Sequence, residues 1–229
     1  MRDSLARLEH EIISCERCPR LRAWCAHVAL TRRRAYRDQE YWGRPVPGFG
    51  SPSARLLVLG LAPGAHGANR TGRVFTGDAS GDWLFRAMHA AGFANQPESV
   101  HRGDGLELRG AWVSASVRCA PPENKPAPAE IAACRPFLER ELALLANLRC
   151  IVALGRLAFD NYLGILLSRG LIRSRAGFTF AHLAEFRPAP GTPVLLASSP
   201  PSQQNTSTRR LTREMLAAVF ARAAAIIGE

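Results

Sequence analysis

Four short stretches of mostly apolar residues punctuate the chain: Leu56–Leu59, Ala111–Val117, Cys150–Leu154 and Val194–Ser198. Runs that are continuous rather than alternating read as strands buried on both faces, the pattern of a parallel sheet. Helical patterns lie before and between them. Leu5, Leu8, Ile12 and Ile13 fall on one side of a helix over residues 3–14. Further helices are expected at about Ala79–Ala91, Pro128–Leu148, Gly155–Ser168 and Leu211–Ile227. Pro128 suits a first helical turn, whereas Pro136 is expected to kink its helix or split off the first turn. Gly92–Gly110 and the turn APPENKPAP read as loops, and a hairpin or edge strand is expected around Phe178–Phe180. This alternation predicts an α/β protein, a three-layer α/β/α sandwich around a four-stranded, mostly parallel sheet, forming one domain over residues 1–229.

The first apolar run opens into Gly60–Gly81, GLAPGAHGANRTGRVFTGDASG. Six glycines in this stretch let the backbone approach a ligand closely, and open α/β sheets bind ligands beyond the carboxyl ends of their strands. Interleaved with them stand His66, Asn69, Arg70, Arg73, Phe75 and Asp78. Two more loops, RCAPPENKP and SSPPSQQNTSTRR, follow later strands and should converge on the same edge. Together they offer a carboxylate, amides, a lysine and arginines, a set suited to hydrolysis at an anionic ligand. A phosphate-cradling nucleotide site is disfavoured, because the loop contains neither G-x-x-x-x-G-K-[ST] nor G-x-G-x-x-G at the strand end.

Composition adds an electrostatic preference. The chain carries 30 Lys+Arg against 19 Asp+Glu, a formal charge of +11. Such a field draws polyanions and gains from counterion release. Residues 31–53, rich in Arg, Tyr, Trp, Gly and Pro, form either a basic aromatic arm on a phosphate backbone or a solvated connector. The N-terminal stretch has no hydrophobic signal region, and no apolar run approaches the roughly 18–20 residues of a membrane span. A soluble, intracellular protein is therefore expected.

The six cysteines point to metal or redox chemistry rather than a disulfide scaffold. Cys15 and Cys18 form a C-x-x-C motif, and Cys119 and Cys134 are placed to supply the other half of a four-thiolate site. Spacing leaves zinc and an iron–sulfur cluster both open. Cys150 and Cys25 read as packing residues.

The glycine loop, the CERCPRL start, the VRCAPPENKPAP turn and the PSQQNTSTRRLT segment together resemble the uracil-DNA glycosylase superfamily, most nearly its type B (family 5) branch. The resemblance extends from Cys15 to the last helix. It implies a monofunctional, prokaryotic, cytoplasmic and nucleoid-associated DNA repair enzyme, a monomer acting on DNA that contains deaminated bases. It also implies a structural [4Fe–4S] cluster on Cys15, Cys18, Cys119 and Cys134. By resemblance, Phe75 stacks on a flipped base and Asp78 orients water or stabilises the oxocarbenium-like sugar; capping the next helix is a compatible second use of Asp78. Asn124 matches an amide that contacts base or water, and the backbone of Gly64, Ala65 and His66 supplies donors to the departing base. Ser202 is expected near the base. Ala115 stands where uracil-strict branches carry an Asn, which implies tolerance of hypoxanthine and xanthine. Arg70, Arg73, Gln203, Gln204, Asn205, Arg209 and Arg210 are expected to touch DNA. One departure is conspicuous: Pro200 occupies the place of the family's motif His, which removes a donor. That loss supports an alternative reading, a catalytically weakened binder of damaged or abasic DNA. Arg209, where relatives often have a small residue, is a second departure.

Overall fold

The computed structural model describes residues 3–228. Met1, Arg2 and Glu229, which the expected domain includes, lie outside the described residues. A single sheet contains β1 (Phe49–Gly50), β2 (Leu56–Gly60), β3 (Ala111–Ala115), β4 (Cys150–Leu154), β5 (Glu185–Phe186) and β6 (Val194–Ser198). Their order is β1-β3-β2-β4-β6-β5. The four expected strands form its parallel centre, and the expectation of four is corrected to six by a short antiparallel strand at each edge. The edge expected around Phe178–Phe180 lies instead at β5. Phe178 and Phe180 pack as rings against Phe186 and Phe159, with centroids 5.5 and 5.6 Å apart.

Eight helices surround the sheet among the described residues: α1 (Leu5–Ile13), α2 (Pro19–Thr31), α3 (Ala68–Thr71), α4 (Ala79–Ala90), α5 (Pro128–Leu144), α6 (Arg156–Ser168), α7 (Gln203–Ser207) and α8 (Arg213–Gly228). Alternation along each strand divides the core. Leu56, Val58, Val113, Val152 and Leu196 pack with Leu84, Phe85 and Phe220 of α4 and α8. Leu57, Leu59, Ile151 and Leu195 pack with Leu138, Phe159 and Tyr162 of α5 and α6. Both sheet faces are thus covered, which is why the strands are apolar throughout.

The sequence reading missed α2. Its signal is Pro19 in the first turn followed by buried Leu21, Cys25 and Val28, a helical spacing obscured by intervening charged residues. α5 continues as one helix through Pro136, so no first turn is split off. Buried Phe137, Leu138 and Glu141 anchor the part beyond the proline, so one missing backbone hydrogen bond does not end it.

Glu141 belongs to a buried polar knot. Its carboxylate accepts from Trp112 Nε1 at 3.0 Å, Ser114 Oγ at 2.5 Å and Arg118 at 2.7 Å. Gly48 is required beside it, since a Cβ there would stand 2.4 Å from the carboxylate. The Arg118–Glu141 ion pair, with both side chains 1% exposed, ties the end of β3 to α5. Burying such a pair is costly and breaking it costlier still, so its effect is to fix geometry.

Candidate active site

From β2 the sheet grows in opposite directions, to β3 on one side and to β4 and β6 on the other. This is a topological switch point, where a crevice opens beyond the strands' carboxyl ends. A cavity of about 750 Å³ lies there, within the range of small-molecule sites. Loops following β2, β3, β4 and β6 all contribute to its wall. Three of these were expected from sequence; the wall from Leu154 to Ala158 after β4 was not, although the same strand-end logic applies to it.

The Gly60–Gly81 loop is shaped around two side chains. Asp78 caps α4, its Oδ1 accepting from Gly81 N at 3.0 Å. Its Oδ2 lies against the loop backbone: Cβ atoms at Gly64 and Gly67 would sit 3.1 and 1.9 Å from it. Enclosure by the loop pushes the Asp78 carboxyl above its ordinary value. Phe75 adopts φ 52°, a rare conformation for an aromatic residue. Its ring lies over Gly60, where a Cβ would come within 2.7 Å of Cζ, while Gly81 clears room for its carbonyl. The glycines therefore secure one ring and one carboxylate on the same cavity wall.

Gly64, Ala65, His66, Asn124 and Ser202 also line the cavity. His66 Nδ1 lies 3.1 Å from the Tyr41 hydroxyl. Burial, with Arg33 and Arg70 nearby, lowers its pKa and favours the neutral ring. Asn124 has φ 57° and is exposed at the rim. Ser202 caps α7, accepting from Asn205 N at 3.4 Å. Pro200 forms wall beside Gly155, 3.3 Å from where a Cβ would lie there.

Several residues expected to touch DNA or base sit differently from the sequence expectation. Arg70 and Arg73 are buried and engaged by partners within the fold. Arg70 donates to His66 O, Gln39 Oε1 and Gly77 O at 2.8, 2.5 and 2.6 Å. Arg73 pairs with Asp104 at 2.7 Å and donates to Thr76 and Ser99. Desolvated guanidiniums are stable only with such partners, so these two hold the loop's shape. Ala115 is buried in the core beside Gly60 and is not among the residues lining the cavity. Asn205 turns inward, donating Nδ2 to Pro200 O at 3.0 Å. Gln203, Gln204, Arg209 and Arg210 are exposed, and Gln203 reaches the cavity wall. Arg33 and Tyr36, expected only as part of a basic aromatic arm or connector over residues 31–53, also reach the wall.

The cysteines are free thiols. Cys18, Cys119 and Cys134 share one apolar cluster with Cys25, and Cys15 sits in the adjoining cluster against Phe137. Burial, with Cys134, Glu130 and Cys15 nearby, raises the Cys18 pKa, and contact with Cys25 together with burial raises that of Cys119. Among the described residues no group of three or more His, Cys, Asp or Glu is gathered to hold a single metal ion.

The chain belongs to the uracil DNA glycosylase superfamily, whose family model matches residues 47–224. Within that superfamily its relatives place it in the type-5 branch. It is 51% identical over 217 residues, 95% of each chain, to "Type-5 uracil-DNA glycosylase" of Thermus thermophilus. The protein of the same description from Mycobacterium bovis is 48% identical over 98% of this chain and 82% of its own. That from Pyrobaculum aerophilum is 45% identical over 96% and 92%.

Proposed function

We propose that this protein is a monofunctional DNA glycosylase that flips uracil out of DNA and hydrolyses its N-glycosidic bond, leaving an abasic site. The observation carrying this reading is the juxtaposition of Phe75 and Asp78 on one wall of a cavity large enough for a base. Extruding a base costs a few kcal/mol, and stacking on an aromatic face returns about 1–3 kcal/mol. Phe75 supplies that face. Asp78, in its ionised form, orients water toward the anomeric carbon or stabilises the cationic sugar. Backbone N–H groups of Gly64, Ala65 and His66, which line the cavity, are proposed to bond the base carbonyls as negative charge develops on them. Neutral His66 and the Asn124 amide add polar contacts without a second charge.

Hypoxanthine and xanthine are further proposed substrates. In support, Ala115 offers no polar edge that would read uracil alone, and Phe75 offers a stacking face tolerant of base identity. The four thiols of Cys15, Cys18, Cys119 and Cys134 are proposed to hold a [4Fe–4S] cluster. In support, they lie on the α1–α2 turn, after the end of β3 and on α5, with Cys18, Cys119 and Cys134 in one apolar cluster and Cys15 packed on another. When bound, the cluster braces these three elements beside the DNA-binding face. Pro200 favours the second reading, a binder of damaged or abasic DNA, because this wall position offers no donor. Losing such a donor costs roughly 10²–10³ in rate in comparable sites.

Single-turnover release from oligonucleotides bearing uracil, hypoxanthine or xanthine tests the proposal, with Pro200→His alongside. Release of uracil by the natural chain supports catalysis, and the purine results test the permissive wall. No release by the natural chain with rescue by the histidine makes the protein a binder.

A further inference from the structure

The segment leading from α2 to β1 lies across one rim of the cavity and is fastened to the glycine loop. Trp42 N donates to Arg70 O at 2.9 Å and Gly43 N to Asn69 O at 3.0 Å. The Arg70 guanidinium lies 4.0 Å from the Tyr36 ring centroid while binding Gln39. Tyr41 completes the fastening, its hydroxyl meeting both His66 Nδ1 and Arg33 N. Arg32, with φ 46°, uses its own side chain to hold the turn, donating to Arg37 O at 2.8 Å. The result is a braced turn that presents Arg33, Arg34 and Arg37 to solvent.

Arg33 and Tyr36 reach the cavity wall. Arg33 and Arg34 have no carboxylate partner among the described residues, and Arg37 has only exposed Asp38 at 3.9 Å. Exposed Arg209 and Arg210 lie on the loop after β6, which lines the same cavity through Pro200–Gln203.

We propose that Arg33 and Arg34 form a phosphate clamp, holding the backbone of the DNA strand next to the flipped nucleotide. The proposal rests on the glycosylase reading above. When a base fills the cavity, its sugar and flanking phosphates stand at the rim, where exposed guanidiniums meet phosphate oxygens and not the base. Arg suits this task through its planar fork of donors. Because the arm is already fixed by Arg70 and Tyr41, little ordering entropy is lost when it binds. The clamp strengthens binding of the extruded state and takes no part in bond cleavage.

Binding to a duplex containing a stable abasic-site analogue, read by fluorescence anisotropy between 50 and 200 mM salt, tests this. Each neutralised phosphate contributes about 0.9 to the slope of log K against log salt. Arg33→Ala and Arg34→Ala should each lower the slope by about 0.9, and the double variant by about 1.8. Arg33→Lys should keep the natural slope. Uracil release at saturating protein should stay within about twofold for Arg34→Ala, whose side chain is not part of the cavity wall, with thermal unfolding confirming that every variant is folded. Unchanged slopes overturn the proposal. So does a slope that holds while the saturated rate falls tenfold, since Arg33 would then act on the base. A natural chain that binds yet releases no uracil counts against the glycosylase reading alone, because the slope is read from binding.

Discussion

Gly67→Ala isolates the position of the Asp78 carboxylate from its chemistry. The added methyl would stand 1.9 Å from Asp78 Oδ2. Carbon and oxygen approach no closer than about 3.3 Å without strain, so the carboxylate has to retreat by roughly 1.4 Å. Displacements of 1 Å at a reacting centre cost about 10²-fold, equivalent to about 2.7 kcal/mol of barrier. The retreat also strains the cap to Gly81, whose loss costs about 1 kcal/mol of stability. Gly64→Ala is the matched control, since its methyl would lie 3.1 Å from the same oxygen and needs only a few tenths of an ångström. Single-turnover uracil release should fall about 100-fold in Gly67→Ala and only a few-fold in Gly64→Ala, with both proteins folded by circular dichroism. A folded Gly67→Ala protein that releases uracil within threefold of the natural rate would refute the claim that the loop positions the carboxylate.

Asp78→Asn preserves the cap and removes a carboxylate whose burial raises its pKa. Ionisation of a group with a raised folded-state pKa opposes folding, so the variant should melt higher at neutral pH. The gap should close as pH falls through the Asp78 pKa, while the release rate drops by roughly 10²–10⁴. Asp104 behaves with the opposite sign. Arg73 and the amides of Val100 and Leu106 hold its pKa below the ordinary value despite burial, so it adds stability above the unfolded carboxylate pKa that is lost as pH falls through the folded one. Asp104→Ala strands a buried guanidinium and should cost about 3–5 kcal/mol in urea titrations. Cys134→Ala should lose iron and acid-labile sulfide together, measured on protein purified without oxygen.

The parallel centre was legible because strands covered on both faces must be apolar along their length. Edge strands of two residues carry no periodicity, so β1 and β5 were not. Phe75 and Asp78 stood out because glycines crowd around them for a reason of shape: the ring and the carboxylate occupy space that side chains would otherwise fill. Residue type does not give direction, however. Arg70 and Arg73 read as DNA contacts, yet carbonyl, hydroxyl and carboxylate partners close by in the fold draw both inward. Ala115 stands where uracil-strict branches carry a base-reading Asn, but β3 alternation places it with Val113 in the core. Arg33 and Tyr36 reach the cavity only through tertiary fastening by Arg70 and Tyr41, which no local pattern announces.

The central claim is that this cavity hydrolyses a glycosidic bond. The most direct measurement is quantitation of free uracil from a uracil-bearing oligonucleotide in one turnover, comparing the natural chain with Asp78→Asn. The account predicts free uracil and an alkali-labile abasic site from the natural chain and a rate lower by at least 100-fold from the variant. Equal release by both would contradict the assignment of Asp78. Release by neither, with tight binding to abasic DNA, would contradict catalysis itself.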